Sequence, residues 1–218
     1  HNMKRKTFGV IGIGRFGLYM AKTLAENKAE VIACDIEEDP VKEISDFISK
    51  SYILDATNEK ALKEAGFHNL DTVIVSIGEN IEASILTVMQ LLKLGVKEII
   101  AKAITSTHGM ILEKIGISKI VYPEKNVAVR IAHTLLYEGF IDETPFANEY
   151  SIFEIKCPAQ FIHKKLNEID LRNKFDISIL SIKRDSSILV NPSAEETIVE
   201  NDHLLILGKL ENVKKLIT

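Results

Sequence analysis

The hexapeptide GIGRFG, Gly12 to Gly17, follows the apolar run Phe8-Gly9-Val10-Ile11 and opens a helix-like stretch, LYMAKTLAE. Its spacing is that of G-x-G-x-x-G at a strand-to-helix turn, and the chemistry of that pattern is the seating of a phosphate. Gly12 permits a tight turn, Gly14 lets the backbone approach a pyrophosphate, and Gly17 lets helix and strand pack closely. The helix N-terminus adds unpaired amide donors and a partial positive charge. Asp35 closes the next apolar run, EVIACD, where a carboxylate can accept both hydroxyls of an adenosine ribose. The same charge repels a 2′-phosphate, which disfavours NADP and leaves NAD, ADP and ATP. Arg15 and Phe16 fill the loop. The fixed charge of Arg15 suits a ligand with more phosphate than NAD, but the residue reads equally well as an exposed arginine of a first helical turn. A fold that keeps its glycines for packing, with no nucleotide, is the competing reading of the whole motif.

A reaction is harder to find. A nicotinamide enzyme needs a proton donor or acceptor beside its cofactor. The six histidines are scattered, with no carboxylate spacing that suggests a relay. There is no G-x-S-x-G, no Walker lysine and no Cys/His cluster of metal-binding spacing. His133, within VAVRIAHTLL, reads as a packed helix-face residue. The sequence thus points to a binding protein, not an enzyme. An NAD(H)-linked oxidoreductase and an NADH-sensing regulator stand as alternatives. The net charge of −4 and the lack of a basic helix-turn-helix argue against nucleic acid as a partner.

The elements that must position these residues follow from periodicity. Strand-like TFGVIGIG, EVIACD, KSYILD, TVIVSIG, EIIAKAI and KIVYPE alternate with helix-like segments. In one of these, Ile81, Ile85, Val88, Met89 and Leu92 form an apolar stripe. The strands are continuous apolar runs, as expected for a parallel sheet covered on both faces. The expectation is an α/β fold: a Rossmann-like doubly wound parallel sheet with right-handed crossovers, over residues 1–144. Gly66, Gly95 and Gly116 fall where helices should stop in a left-handed residue. Beyond them, IDETPFANE reads as a polar connector. Residues 145–218 then read as a small α+β domain: YSIFEIKC, a short helix in KKLNEID, two strands around Arg184-Asp185-Ser186, LLILGK, and a closing helix, LENVKKLI. So small a unit buries a modest core, which favours help from a second copy. Cys34 and Cys157 lie in unrelated contexts, which leaves a cytoplasmic location as the default. No apolar stretch reaches the ~18 residues of a membrane span.

GVIGIGRFG, ILDAT, VIVSIGEN, LEKIGISKIVYPEKNVAVRIA and ANEYSIFEIK together resemble the KtrA/TrkA-type RCK (KTN) proteins, cytosolic regulatory subunits of bacterial potassium transporters. The resemblance covers almost the whole chain. It implies homodimers that close into an octameric ring at the inner face of the plasma membrane, beneath a KtrB- or TrkH-like potassium-translocating partner. It implies no insertion into the membrane by this chain. It further implies ATP and ADP competing for one site. Gly12, Gly14 and Gly17 would hold the phosphates, Asp35 the ribose, and Asp55, Ala56 and Thr57 the adenine end. Ser76, Ile77 and Gly78 match the loop after the fourth strand, and Lys102 a lysine near the phosphates. Arg15 would reach the γ-phosphate bound in a neighbouring subunit. Glu124 would hold Mg or another cation near that phosphate, although without the family it reads as a solvated helix-start carboxylate. The second domain resembles one that binds cyclic di-AMP in some relatives. Ile169, Asp170, Arg172, Ile179 and Pro192 fit that pattern, but Ser178 stands where asparagine is expected, and a side-chain amide is lost. Over residues 151–218, ten basic and ten acidic residues cancel, so bulk charge does not favour an anion there.

Overall fold

The computed structural model describes residues 5–217, which divide between Pro123 and Glu124 into two compact units. The first alternates strand and helix: β1 (Thr7–Ile11), α1 (Arg15–Glu26), β2 (Glu30–Asp35), α2 (Glu38–Ser45), β3 (Lys50–Ile53), α3 (Glu59–Glu64), β4 (Thr72–Val75), α4 (Ile81–Lys93), β5 (Glu98–Lys102), α5 (Ser106–Lys114) and β6 (Lys119–Val121). The six strands are parallel, in the order β3-β2-β1-β4-β5-β6. Successive strand residues feed two different cores. Val10, Val31, Ala33 and Ile74 pack with α1 and α2 through Leu18, Ala21, Val41 and Ile44. Ile11, Ile32, Cys34, Val73 and Val75 pack with the residues of α3, α4 and α5, among them Leu62, Val88, Leu91 and Leu112. Burial on both faces is why these strands are apolar without alternation. The chain winds outward in both directions from β1 and β4, so the loops after those strands diverge and leave a crevice at their carboxyl ends.

Helix ends obey local chemistry. Asn58, Asn80 and Thr105 each accept a first-turn amide with the side chain, and so cap α3, α4 and α5. Gly66, Gly95 and Gly116 take the left-handed conformation as expected.

The second unit comprises α6 (Pro123–Leu136), β7 (Phe140–Ala147), β8 (Tyr150–Lys156), α7 (Leu166–Ile169), α8 (Leu171–Phe175), β9 (Ser178–Arg184), β10 (Ser187–Val190), β11 (His203–Lys209) and α9 (Leu210–Ile217), with α6 beginning on the last residue of the first. Its antiparallel sheet runs β10-β9-β11-β8-β7. Here alternation is clean. Phe153, Ile155, Leu204 and Ile206 point into a single core, closed by Val213 and Leu216 of α9. Arg184 fastens the sheet to the segment before β11, giving two bonds to the Asp202 carboxylate (both 2.9 Å) and one to Glu196 (3.1 Å).

One expectation is corrected. IDETPFANE is not a connector: most of it is β7, paired with β8 through a two-residue turn in which Asn148 has φ +53°. Its polar composition and Pro145 suit a sheet edge, where a proline forfeits no ladder bond to a second neighbour. The strand spans the 144/145 position at which the sequence reading divides the chain.

Candidate nucleotide site

The crevice at the carboxyl ends of β1, β2, β3 and β4 is a cleft of about 380 Å³. β1 ends at Ile11, whose carbonyl accepts from the Ser76 amide (2.7 Å), and Gly12 then turns with φ +89°. A methyl group on Gly12 would lie 2.6 Å from the Ser76 carbonyl oxygen, and one on Gly17 would lie 2.0 Å from that of Gly12. Both glycines are therefore required by the protein's own packing. Gly14 is different. Its backbone is ordinary and extended, and a methyl group there would meet nothing within 4 Å. Nothing in the chain demands glycine at this position, whereas a phosphate resting on the backbone would. α1 starts here with no side-chain cap and no acidic residue in its first turn, so its leading amides and its dipole face the cleft mouth uncompensated.

Asp35 holds this loop. Its Oδ2 accepts from the Ile13 amide (2.7 Å) and its Oδ1 from the Glu37 amide (2.9 Å). Two of its acceptor positions are thereby used, and two remain for a ribose. Across the cleft, Asp55 Oδ1 accepts from both the amide (2.9 Å) and the hydroxyl (2.7 Å) of Thr57. Those bonds hold the Asp55 carboxyl below the usual carboxylate range, the hydroxyl bond contributing most. Cys34 also lies on the wall, but burial, and secondarily the Asp35 charge, push its thiol well up, which leaves it inert.

Of the expected residues, the cleft brings together Gly12, Gly14, Asp35, Asp55, Ala56, Thr57, Ser76, Ile77 and Gly78. Gly17 lies beneath the turn. Phe16 packs against the core under α1 and α2. Arg15 is 78% exposed and approaches Glu43 at 3.7 Å, off the cleft wall. Lys102, at the end of β5, is half-buried and off the wall as well. Glu124 belongs to the second unit, at the exposed start of α6. Sequence reasoning missed Ile36, Pro40 and Leu54, which line the apolar part, and Thr87 of α4. Thr87 had a signal available: it falls on the same helical face as Asn80 and Ala83.

In the second unit, Asp170, Arg172, Ser178, Ile179, Asn191 and Pro192 line a groove of about 610 Å³, while Ile169 lies in the core beneath it. The Asn173 amide donates to both oxygens of Asp170 (2.9 and 3.1 Å). Two histidine–carboxylate pairs that spacing did not reveal are present: His203 with Glu154 (3.2 Å), and His133 Nδ1 with Glu143. Ser151 donates to the other Glu143 oxygen (3.1 Å). With the carboxylate in the middle, the serine has no base beside it, which is not the order of a nucleophilic relay.

The strand order, the glycine turn and the carboxylate on β2 define the first unit as a Rossmann-type domain. Residues 8–123 match the TrkA-N domain and residues 151–218 the TrkA-C domain, so the chain belongs to the TrkA-N/TrkA-C family. It is 41% identical over 211 residues to Ktr system potassium uptake protein C of Bacillus subtilis (strain 168), covering 97% of this chain and 96% of the relative. To Ktr system potassium uptake protein A of the same organism it is 37% identical over 213 residues, covering 98% and 96%. Among solved structures, the GsuK RCK domain superposes with a TM-score of 0.53 at 22% identity, over 96% of this chain and 45% of that one. The TrkA-N domain of ybaL from Escherichia coli gives 0.53 at 20%, over 62% and 99%. These two likenesses establish the fold. No helix among the described residues is long and apolar enough to cross a membrane.

Proposed function

We propose that this chain is the nucleotide-responsive gating subunit of a Ktr-type potassium uptake system. It would act from the cytoplasmic side on a KtrB- or TrkH-like membrane partner, as dimers assembled into an octameric ring. The observation that carries the nucleotide reading is Gly14, the one glycine of the turn that a ligand requires and the protein does not. The kinship with potassium uptake proteins along nearly their full length supports the transport role. ATP and ADP differ only in the γ-phosphate, so only unequal contact with that group can shift a two-state assembly. Arg15, exposed beside the loop, and Glu124 through Mg or another cation would supply that contact from a neighbouring subunit. NAD(H) fits the same cleft, and Asp35 would meet its adenosine in the same way. Cyclic di-AMP is the ligand we assign to the groove around Asp170 and Arg172, with Ser178 lowering its affinity relative to an asparagine.

The experiment is potassium flux into vesicles that hold the membrane partner, with this protein added under ATP or ADP. Flux should be higher with ATP, and Arg15→Ala should abolish most of that difference while ADP still binds. Equal flux with the two nucleotides in the wild type would defeat the gating role.

A further inference from the structure

Among the described residues, three buried side-chain polar atoms have no hydrogen-bond partner: Nδ1 of His68, Oγ of Ser76 and Oγ1 of Thr87. Two of the three residues, Ser76 and Thr87, line the nucleotide cleft. A buried hydroxyl without a partner is costly, so such groups are rare and call for an explanation. Ser76 lies next to the glycine turn, where the phosphates would rest. Thr87 is elsewhere. It is buried on α4, and the cleft it lines also carries the apolar residues Leu54, Ala56, Ile77 and Ala83.

A helical threonine ordinarily gives its hydroxyl to the carbonyl three or four residues back. Thr134 of α6 does so, donating to Ile131 at 2.7 Å. Thr87 does not. Two polar atoms on the same cleft are engaged elsewhere: Asn80 Oδ1 caps α4 through the Ala83 amide (2.9 Å), and Asp55 Oδ1 is taken by Thr57. With the phosphates at the glycine loop and the ribose at Asp35, the apolar residues are left for the flat base. A base pressed onto aliphatic side chains still has ring nitrogens that lose water and need a partner.

We propose that Thr87 is the base-reading residue of this cleft: its hydroxyl completes its hydrogen bonding only with a ring nitrogen or amino group of the bound purine. This rests on the nucleotide reading above and adds to it a specificity-determining residue on α4. Three consequences follow from one hydroxyl. The isosteric Thr87→Val variant, freed of an unsatisfied group, should melt no lower than wild type without ligand. It should bind ATP, ADP and adenosine each about tenfold more weakly, because the base is common to all three. Thr87→Ser, which keeps the hydroxyl, should stay within about twofold of wild type.

Calorimetric titration and thermal melting of the full-length chain and both variants make the test. Affinities for all three ligands unchanged in Thr87→Val would overturn the proposal. So would a lowered ligand-free melting temperature with affinity intact, the mark of a purely structural hydroxyl. A loss for ATP and ADP that spares adenosine would contradict it too, by placing Thr87 at the phosphates. A wild type that binds none of the three would remove the nucleotide reading and this inference together.

Discussion

Gly12, Gly14 and Gly17 look alike in sequence but would answer a methyl group differently. At Gly12 the positive φ and the Ser76 carbonyl both oppose it, and at Gly17 the Gly12 carbonyl does. Gly14→Ala should therefore leave the melting temperature within about 2 °C of wild type, the shift of a few tenths of a kcal/mol. Adenine nucleotide affinity should nevertheless fall steeply. Gly12→Ala and Gly17→Ala should each cost folding stability, about 1–3 kcal/mol, from strain that the backbone cannot relieve. Denaturant unfolding of the three variants, each paired with an ATP titration, checks the order. A Gly14→Ala protein that binds as wild type would mean that no ligand approaches this backbone. The motif's spacing was enough to place these residues, because strand, turn and helix are contiguous in the chain. What each glycine is for was not readable, because the Ser76 carbonyl arrives from a strand more than sixty residues away.

At the scale of elements, the parallel sheet was legible because most of its strands are short apolar runs between turn residues, and α3, α4 and α5 each have both a side-chain cap and a closing glycine. The second unit was legible in its hairpin and closing helix but not in β7, whose polar, proline-containing sequence is what an edge strand tolerates and what a loop also looks like. Pairings between elements were beyond sequence reading. His108 shows why. It is buried in α5, accepts from the Ile104 amide with Nδ1 (3.1 Å) and faces Ser84 of α4 with Nε2 (3.1 Å). An Nδ1 that accepts carries no proton, so Nε2–H is the donor to Ser84 and the imidazole is neutral. Burial lowers its pKa below the ordinary 6.5. The unfolded chain then binds the proton more readily, so stability is full above the unfolded value and declines as pH falls through it, levelling off below the folded value. The slope cannot exceed about 1.4 kcal/mol per pH unit for this one group. Chemical unfolding of the first unit between pH 8 and 5 should show the decline, and His108→Gln should flatten it. An identical slope in the variant would assign the pH response to other groups.

At the scale of the whole molecule, two units of different architecture lie in one chain, and each carries its own concavity: the cleft at the switch point of the parallel sheet, and the groove beside β9. The first has the makings of an anion seat in its uncapped helix, its unfilled Gly14 and its loop braced by Asp35. The account stands on that seat taking an adenine nucleotide and on ATP and ADP contending for it. Competition calorimetry decides the matter most directly: the purified protein is saturated with ADP and then titrated with ATP. We predict displacement at one site per chain, with an apparent ATP affinity that falls in proportion to the ADP present. Heat of ATP binding unaffected by saturating ADP, or no heat from either nucleotide, would contradict the account.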